Sequence, residues 1–380
     1  MTASDFGTIH IALFLPRLSK YGGVERFAWG LAEYLAGFQG YSVHIICARQ
    51  ETEPPCEVTV HEVGRLGVFR SLKILWFAFA AERVRREGGF DLSIGLGKTW
   101  NQDILRLSGG PLPVFWRLSS RAYSAGFTRR WKMFRRRLSP ANLLIRIIER
   151  HQLQSTPHFV AVSHKLLEWM REAYPQFDTS VARVIYNKPD LSSFRPVTSK
   201  ERIAARKEWG LDSDKTYIGT AGTNFALKGV GCLIRTLPEL PSDYELLVAG
   251  GRKQGRYKRM ANNLGVVDRV HFLGRVQDMQ RFYHCCHVFV LASFYDACSN
   301  AVLEALSSGV PTLSTADNGS SFFLDPEDVI VDPRDTATLA KSIAHAVDKE
   351  EAGFSWPEEI RAGFAYYKEL IDWVLKEKNT

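Results

Sequence analysis

The run His287-Val288-Phe289-Val290-Leu291-Ala292 is apolar for the length of one strand, and the residues directly after it constrain the fold more than any other stretch. A loop from Ser293 carries Asp296, Ser299 and Asn300 are good helix caps, and Ala301 to Leu306 reads as a helix. Gly309 then turns the chain into a second short apolar run, Val310 to Ser314. A strand, loop, helix, turn and strand in this order is the building block of a parallel sheet covered by helices. A ligand of such a unit sits at the loop, where the first N–H groups of the helix favour an anion such as a phosphate.

Two acids flank that anion position. Asp296 lies in the loop and Glu304 about a turn into the helix. An ionised carboxylate accepts a pair of hydrogen bonds from a vicinal diol. A phosphate flanked by two polyols describes a nucleotide sugar. Taken singly, Asp296 reads more readily as a turn residue and Glu304 as a solvated helix position, because charged side chains are mostly exposed.

The start of the chain repeats the pattern. A strand from Ile9 to Leu18 leads into Tyr21-Gly22-Gly23, and Val24, Phe27, Ala28, Leu31, Ala32, Leu35 and Ala36 then recur at helical spacing. Strands at Ser42–Cys47 and Val58–Val63, a helix from Phe69 to Arg86 and a strand at Phe90–Leu96 continue a doubly wound sheet. A second opening stands at Tyr217–Gly222, followed by Lys228-Gly229, an amphipathic helix, and a strand Tyr244–Ala249 ending in Gly250-Gly251-Arg252. The 380 residues suffice for two domains, each with its own core. The fold class is therefore α/β, with two doubly wound domains.

With 45% hydrophobic and 24% charged residues the chain is of the globular type, and its net charge of +8 favours acidic partners. The six cysteines show no paired CxxC elements and read as free thiols of a reducing compartment. The first residues lack a basic region followed by an apolar one, so no signal peptide is expected. No apolar run approaches the roughly 20 residues that span a bilayer. The richest, Ile74 to Ala81, is expected to be the buried face of a helix.

Residues 115–138 mix Phe115, Trp116, Tyr123, Phe127, Trp131 and Phe134 with eight cations between Arg117 and Arg137. Rings that favour the headgroup level and cations that favour anionic lipid read as a segment lying on a membrane. A single-stranded nucleic-acid groove uses the same residue types, and a solvated basic helix is the bland alternative. The membrane reading is preferred, and no nucleic acid is expected.

Asp296, seven residues and Glu304, continued by Glu304-Ala305-Leu306-Ser307-Ser308-Gly309-Val310-Pro311, resemble the signature of retaining glycosyltransferases of the family 4 type. Gly22-Gly23-Val24-Glu25-Arg26, Tyr186-Asn187-Lys188-Pro189-Asp190, Lys228-Gly229 and Phe272-Leu273-Gly274-Arg275-Val276 resemble the family's other motifs, in its order. Here Asp296 stands for the usual Glu, and Gly222 and Thr223 stand where an arginine is common, so either another base such as Arg26 or Arg252 substitutes or turnover is weak. No His lies between His61 and His151, so none is given a catalytic role.

The resemblance implies a GT-B arrangement of two Rossmann-like domains facing a cleft: residues 1–190 for the acceptor, 191–355 for the nucleotide sugar, and a helix within 356–380 crossing back to the first. It implies transfer of a hexose or related sugar, with retention, from a nucleotide sugar, UDP-linked by preference, to a glycan or lipid-linked acceptor, without cofactor or metal. Lys228 and Asp296 are the implied catalytic pair. Gly22, Gly23, Gly250, Arg275, Val276, Asn300, Ala301 and Glu304 bind the donor, Glu304 through the ribose. The stretch from Gly97 to Asp103 resembles that of lipopolysaccharide core glucosyltransferases, which implies acceptor roles for Lys98 and Asp103. The expected location is cytoplasmic, attached peripherally to the inner face of the cytoplasmic membrane through residues 115–138. A non-catalytic nucleotide-sugar-binding membrane scaffold and a GT-B nucleotide-sugar epimerase remain as alternatives.

Overall fold

The computed structural model describes residues 7–251, 253–349 and 354–380, so Arg252 lies outside the described residues. The chain divides into two compact units, one holding residues up to 114 with 125–186 and 361–380, the other 115–124 and 187–360. The divisions thus fall at 186/187 and 360/361, and one excursion of ten residues, 115–124, belongs to the second unit.

The first unit begins β1 (Ile9–Leu15), α1 (Gly23–Ala36), β2 (Tyr41–Cys47), β3 (Val58–Glu62), α2 (Arg70–Glu87), β4 (Leu92–Gly95) and β5 (Ile104–Leu107). Next come α3 (Leu112–Ser120), α4 (Phe127–Leu138), α5 (Pro140–Ser155), β6 (His158–Ala161), α6 (His164–Ala173) and β7 (Ala182–Val184). The strands form one parallel sheet in the order β3-β2-β1-β4-β5-β6-β7. Its central strand is buried without alternation from Ile11 to Leu15, as a sheet covered on both faces requires. Ile11, Leu13 and Leu15 pack with Phe27, Leu31 and Leu35 of α1 on one face, and Ala12 and Phe14 with Phe77 and Ala81 of α2 on the other. Ser163 caps α6 by accepting the Leu166 N–H at 3.1 Å, as its position in the sequence suggests.

The second unit contains α7 (Ser199–Glu208), β8 (Thr216–Ala221), α8 (Val230–Thr236), β9 (Tyr244–Ala249), α9 (Gly255–Asn263), β10 (Val270–Gly274) and α10 (Met279–Cys285). It continues through β11 (Val288–Leu291), α11 (Asn300–Ser307), β12 (Thr312–Thr315), β13 (Val329–Ile330) and α12 (Thr336–Val347). Its parallel sheet runs β10-β9-β8-β11-β12-β13. The last helix, α13 (Phe364–Lys378), returns to the first unit, where Tyr367, Leu370, Ile371 and Val374 fill the core beside α1. In both sheets the order reverses beside the first strand, and ligands of such sheets bind outside the carboxyl ends at that point.

Two expectations are corrected. In α2 only Phe77, Ala78 and Ala81 of the run 74–81 are buried, while Trp76 and Phe79 face outward. Residues 115–138 are not one surface segment. Trp116 and Leu118 are buried, Phe115 meets Tyr295 edge-on at 5.2 Å, and Arg121 pairs with Asp317 at 2.6 Å, so the first part packs into the second unit. In α4, by contrast, Phe127, Trp131, Phe134 and Leu138 are exposed. Among the described residues no helix is long and apolar enough to cross a membrane.

Candidate active site

In the second unit the carboxyl ends of β8, β9 and β11 converge, and glycine makes the approach possible. At Gly229, which has φ +69°, an added Cβ would stand 1.9 Å from the Ala292 carbonyl oxygen. At Gly250, with φ +91°, it would stand 2.4 Å from the Gly222 carbonyl oxygen. No L side chain fits either place without moving backbone. The Lys228-Gly229 turn is thereby pressed onto the end of β11, and Lys228 donates to the Asp296 carboxylate. Their side chains retain 20% and 15% exposure, enough to reach a ligand at the sheet end.

The Asp296 loop is stapled on both sides. Phe294 N–H donates to Leu227 O at 2.8 Å, Asp296 N–H to Asp317 O at 2.9 Å, and Gly319 N–H to Asp296 O at 2.9 Å. Asn318, buried, ties the loop after β12 to the start of α11: its Oδ1 accepts from Ser299 N–H at 3.3 Å and Ser320 N–H at 3.0 Å, and its Nδ2 donates to Ser314 Oγ at 2.8 Å. Asn300 and Ala301 form the first turn of α11, and Asn300 Oδ1 accepts from Asn187 at 2.7 Å.

Glu304 sits one turn further, buried, and its Oε2 accepts the Tyr283 hydroxyl at 2.9 Å. Tyr283 is itself fully buried, against Phe289 and Phe194. Arg275 is exposed just past β10, and Val276 beside it packs half-buried on the core. Lys228, Asp296, Asn300, Ala301 and Glu304 thus share one end of one sheet with Gly250 and the residues after β10. Sequence reasoning missed Tyr283 and Asn318. No spacing in the sequence signals Tyr283, and the Asn before Gly319 is the local signal for Asn318.

Deeper in this unit His287 is structural. Its Nδ1 accepts the Tyr217 N–H at 2.8 Å, and burial, with Arg206 and Arg202 nearby, pushes the imidazole down to about 4. Among the described residues no group of three His, Cys, Asp or Glu side chains could hold a metal ion.

In the first unit Gly22, at φ +102°, precedes α1, which starts at Gly23, and Arg17 pairs with Glu25 at 2.7 Å in that first turn. Lys98 follows β4, pairs with Glu149 at 2.8 Å and lines a cavity of about 190 Å³. Asp103 does not join it. The side chain stands at the amino end of β5, takes the Ser93 N–H at 2.7 Å and hydroxyl at 2.6 Å, and pairs with Lys378 of α13 at 3.1 Å. That is the end opposite to the one where such sheets hold ligands, so an acceptor role for Asp103 is withdrawn.

A family model described as Glycosyltransferase Family 4 matches residues 21–192, and one described as Glycosyl transferases group 1 matches residues 215–349. The chain is 30% identical over 154 residues to the lipopolysaccharide core biosynthesis glycosyltransferase LpsE of Rhizobium meliloti, covering 40% of this chain and 45% of that protein. It is 24% identical over 180 residues to the lipopolysaccharide glucosyltransferase WaaG of Escherichia coli, covering 46% of this chain and 48% of that one. The chain thus spans about half the length of the curated relatives it matches.

Among solved structures it is similar to WaaG, a glycosyltransferase involved in lipopolysaccharide biosynthesis, with a TM-score of 0.77 at 19% identity over 89% of this chain and 90% of that one. It is also similar to Anabaena HepE in complex with UDP-glucose, with a TM-score of 0.68 at 14% identity over 90% of each chain. These likenesses establish the fold as GT-B, built of two Rossmann-like domains. With one model matching each half, the chain carries a family 4 glycosyltransferase domain followed by a group 1 glycosyl transferase domain.

Proposed function

We propose that this protein transfers a hexose or related sugar from a UDP-linked donor to a glycan or lipid-linked acceptor, with retention, in the synthesis of lipopolysaccharide core or a related surface polysaccharide. The observation that carries it is the Lys228–Asp296 pair at the carboxyl ends of β8 and β11, with Glu304 one turn along the adjoining helix. A lysine ammonium has three donors. One stays with Asp296 while the others face a diphosphate, whose departing charge Lys228 and the amides of Asn300 and Ala301 stabilise. Asp296 accepts from sugar hydroxyls and Glu304 from the ribose.

Transfer with retention proceeds on one face. The acceptor hydroxyl attacks the anomeric carbon from the side on which the diphosphate leaves. The bond to the diphosphate breaks, the bond to the acceptor oxygen forms, and the hydroxyl proton passes to a phosphate oxygen. No protein base is required, and much of the rate comes from holding the two substrates at attack distance.

Under the same reading the protein is cytoplasmic and attached to the inner face of the cytoplasmic membrane. The support is α4, where the exposed Phe127, Trp131, Phe134 and Leu138 recur on one side of a helix that carries six cations and no acid. The exposed Leu72, Trp76 and Phe79 make a second apolar stripe on α2. The test is a panel of UDP-, GDP- and ADP-sugars with Gram-negative core acceptors, reading nucleoside diphosphate release and acceptor mass. Product with a UDP-sugar is expected. Donor binding without any product would overturn the transferase reading.

A further inference from the structure

Residues 115–124 belong with the second unit, although chain order puts them between β5 and α4. Trp116, Leu118 and Ser119 are buried and seat the segment there. Two of its contacts fall on residues that bear on Asp296. The Phe115 ring stands edge-on to Tyr295, the residue before Asp296, with centroids 5.2 Å apart and planes at 76°. Arg121 Nη1 donates to Asp317 Oδ2 at 2.6 Å.

Asp317 is the residue whose carbonyl accepts the Asp296 N–H at 2.9 Å. Asn318 pairs with Asp296 as a single parallel bridge, and the Gly319 N–H donates back to the Asp296 carbonyl at 2.9 Å. The backbone of Asp296 is thus fixed by residues 317–319, and the first of these is fixed in turn by Arg121. A second acid, Asp332, stands 4.0 Å from Arg121 Nη2 and already takes Arg334 at 2.8 Å, so Asp317 is the closer partner. The side chains of Arg121 and Asp317 keep 31% and 24% exposure, and a pair that open adds little to global stability. What a guanidinium on a carboxylate supplies there is direction, because its planar fork admits few geometries.

We propose that Arg121 is a positioning residue for Asp296, which it holds in place through Asp317. The proposal rests on the reading of Asp296 as the acid that accepts from donor sugar hydroxyls. Under it, loosening Arg121 disturbs the sugar end of the donor and spares the nucleotide end, where Lys228 and Glu304 act. A role in folding alone would disturb both ends alike.

The test compares UDP with UDP-glucose by titration calorimetry of the full chain, beside transfer to Gram-negative core oligosaccharide. In Arg121→Met, transfer is expected to fall about tenfold or more, since small misplacements at a reacting centre are costly. Binding of UDP-glucose weakens, whereas UDP binding stays within about twofold, because its contacts lie at independent positions. Arg121→Lys, which keeps the charge, recovers part of the loss. Asp317→Asn, which keeps the backbone, repeats it, and Arg121→Met with Asp317→Asn falls no lower than either alone. Should Arg121→Met not fold, Asp317→Asn carries the test with the same expected losses. Full transfer in a folded Arg121→Met or Asp317→Asn protein, or equal weakening of UDP and UDP-glucose, overturns the positioning role and leaves the transferase standing. A wild type that binds neither ligand overturns the donor reading and the positioning role together.

Discussion

Lys228, in the turn before α8, donates to the carboxylate of Asp296, in the loop after β11, although 68 residues separate them in the chain. Each is held by backbone rather than by its own side chain: Lys228 by Gly229 against Ala292, Asp296 by its hydrogen bonds to Asp317 and Gly319. The cation is thus aimed before any ligand arrives, and little reorganisation is left for the moment of transfer.

Replacing either member by Ala is expected to lower transfer by about a hundredfold or more. The thermal midpoint should move by only a few degrees, because both side chains lie at the rim. Turnover at the wild-type rate in either variant would remove the pair from the mechanism.

Tyr283 is expected to act through Glu304. Tyr283→Phe deletes a hydrogen bond to a carboxylate and leaves the buried ring packing in place. A bond of that type contributes roughly 1.5–3 kcal/mol, so the donor KM should rise about tenfold or more with kcat little changed. An unchanged donor KM would mean that Glu304 is oriented without it.

Asp103 gives the contrary prediction. Asp103→Ala strands the Ser93 N–H and releases Lys378. It should destabilise the fold by about 1–3 kcal/mol while leaving acceptor kinetics within about twofold. A large rise in acceptor KM in a stable Asp103→Ala protein would restore Asp103 as an acceptor ligand.

The pH dependence of stability is set in part by His287. Its folded pKa, about 4, lies below the unfolded value, so the neutral ring's contribution is complete above about pH 6.5 and is lost as pH falls toward 4. The loss amounts to about 3 kcal/mol. Urea midpoints at neutral and mildly acid pH should show it, and a His287→Gln variant should show a shallower acid slope. An equal slope in both would place the acid sensitivity elsewhere, at His44 or His284, which burial shifts in the same direction.

Trp131→Glu with Phe134→Glu changes only exposed positions of α4. Binding to vesicles containing phosphatidylglycerol should weaken by about a hundredfold, with turnover on a water-soluble acceptor retained. Undiminished vesicle binding would move membrane attachment off this helix.

Both sheets were legible because parallel strands buried on two faces leave unbroken apolar runs such as Ile11–Leu15 and Val288–Leu291. The Asp296 loop was legible because cap, acid and glycine positions are local signals. Tyr283 was not, since its role depends on a hydrogen bond between α10 and α11 that no spacing encodes. Asp103 misled because a polar run after a strand looks the same whichever strand end its side chains reach. Residues 115–124 misled because Trp116 and Leu118 are buried by tertiary packing, while α4, of similar composition, stays outside.

The position of α13 has a consequence for the order of synthesis. Tyr367, Leu370, Ile371 and Val374 belong to the core of the first unit, beside side chains made more than 300 residues earlier. The residues up to 186 therefore wait for residues 361–380 before their interior closes, whereas residues 187–360 can complete their own sheet in the meantime. Loss of α13 would wound elements far from it in sequence, exposing Phe27, Leu31 and Tyr34 on a nascent surface that must be kept from sticking until α13 emerges.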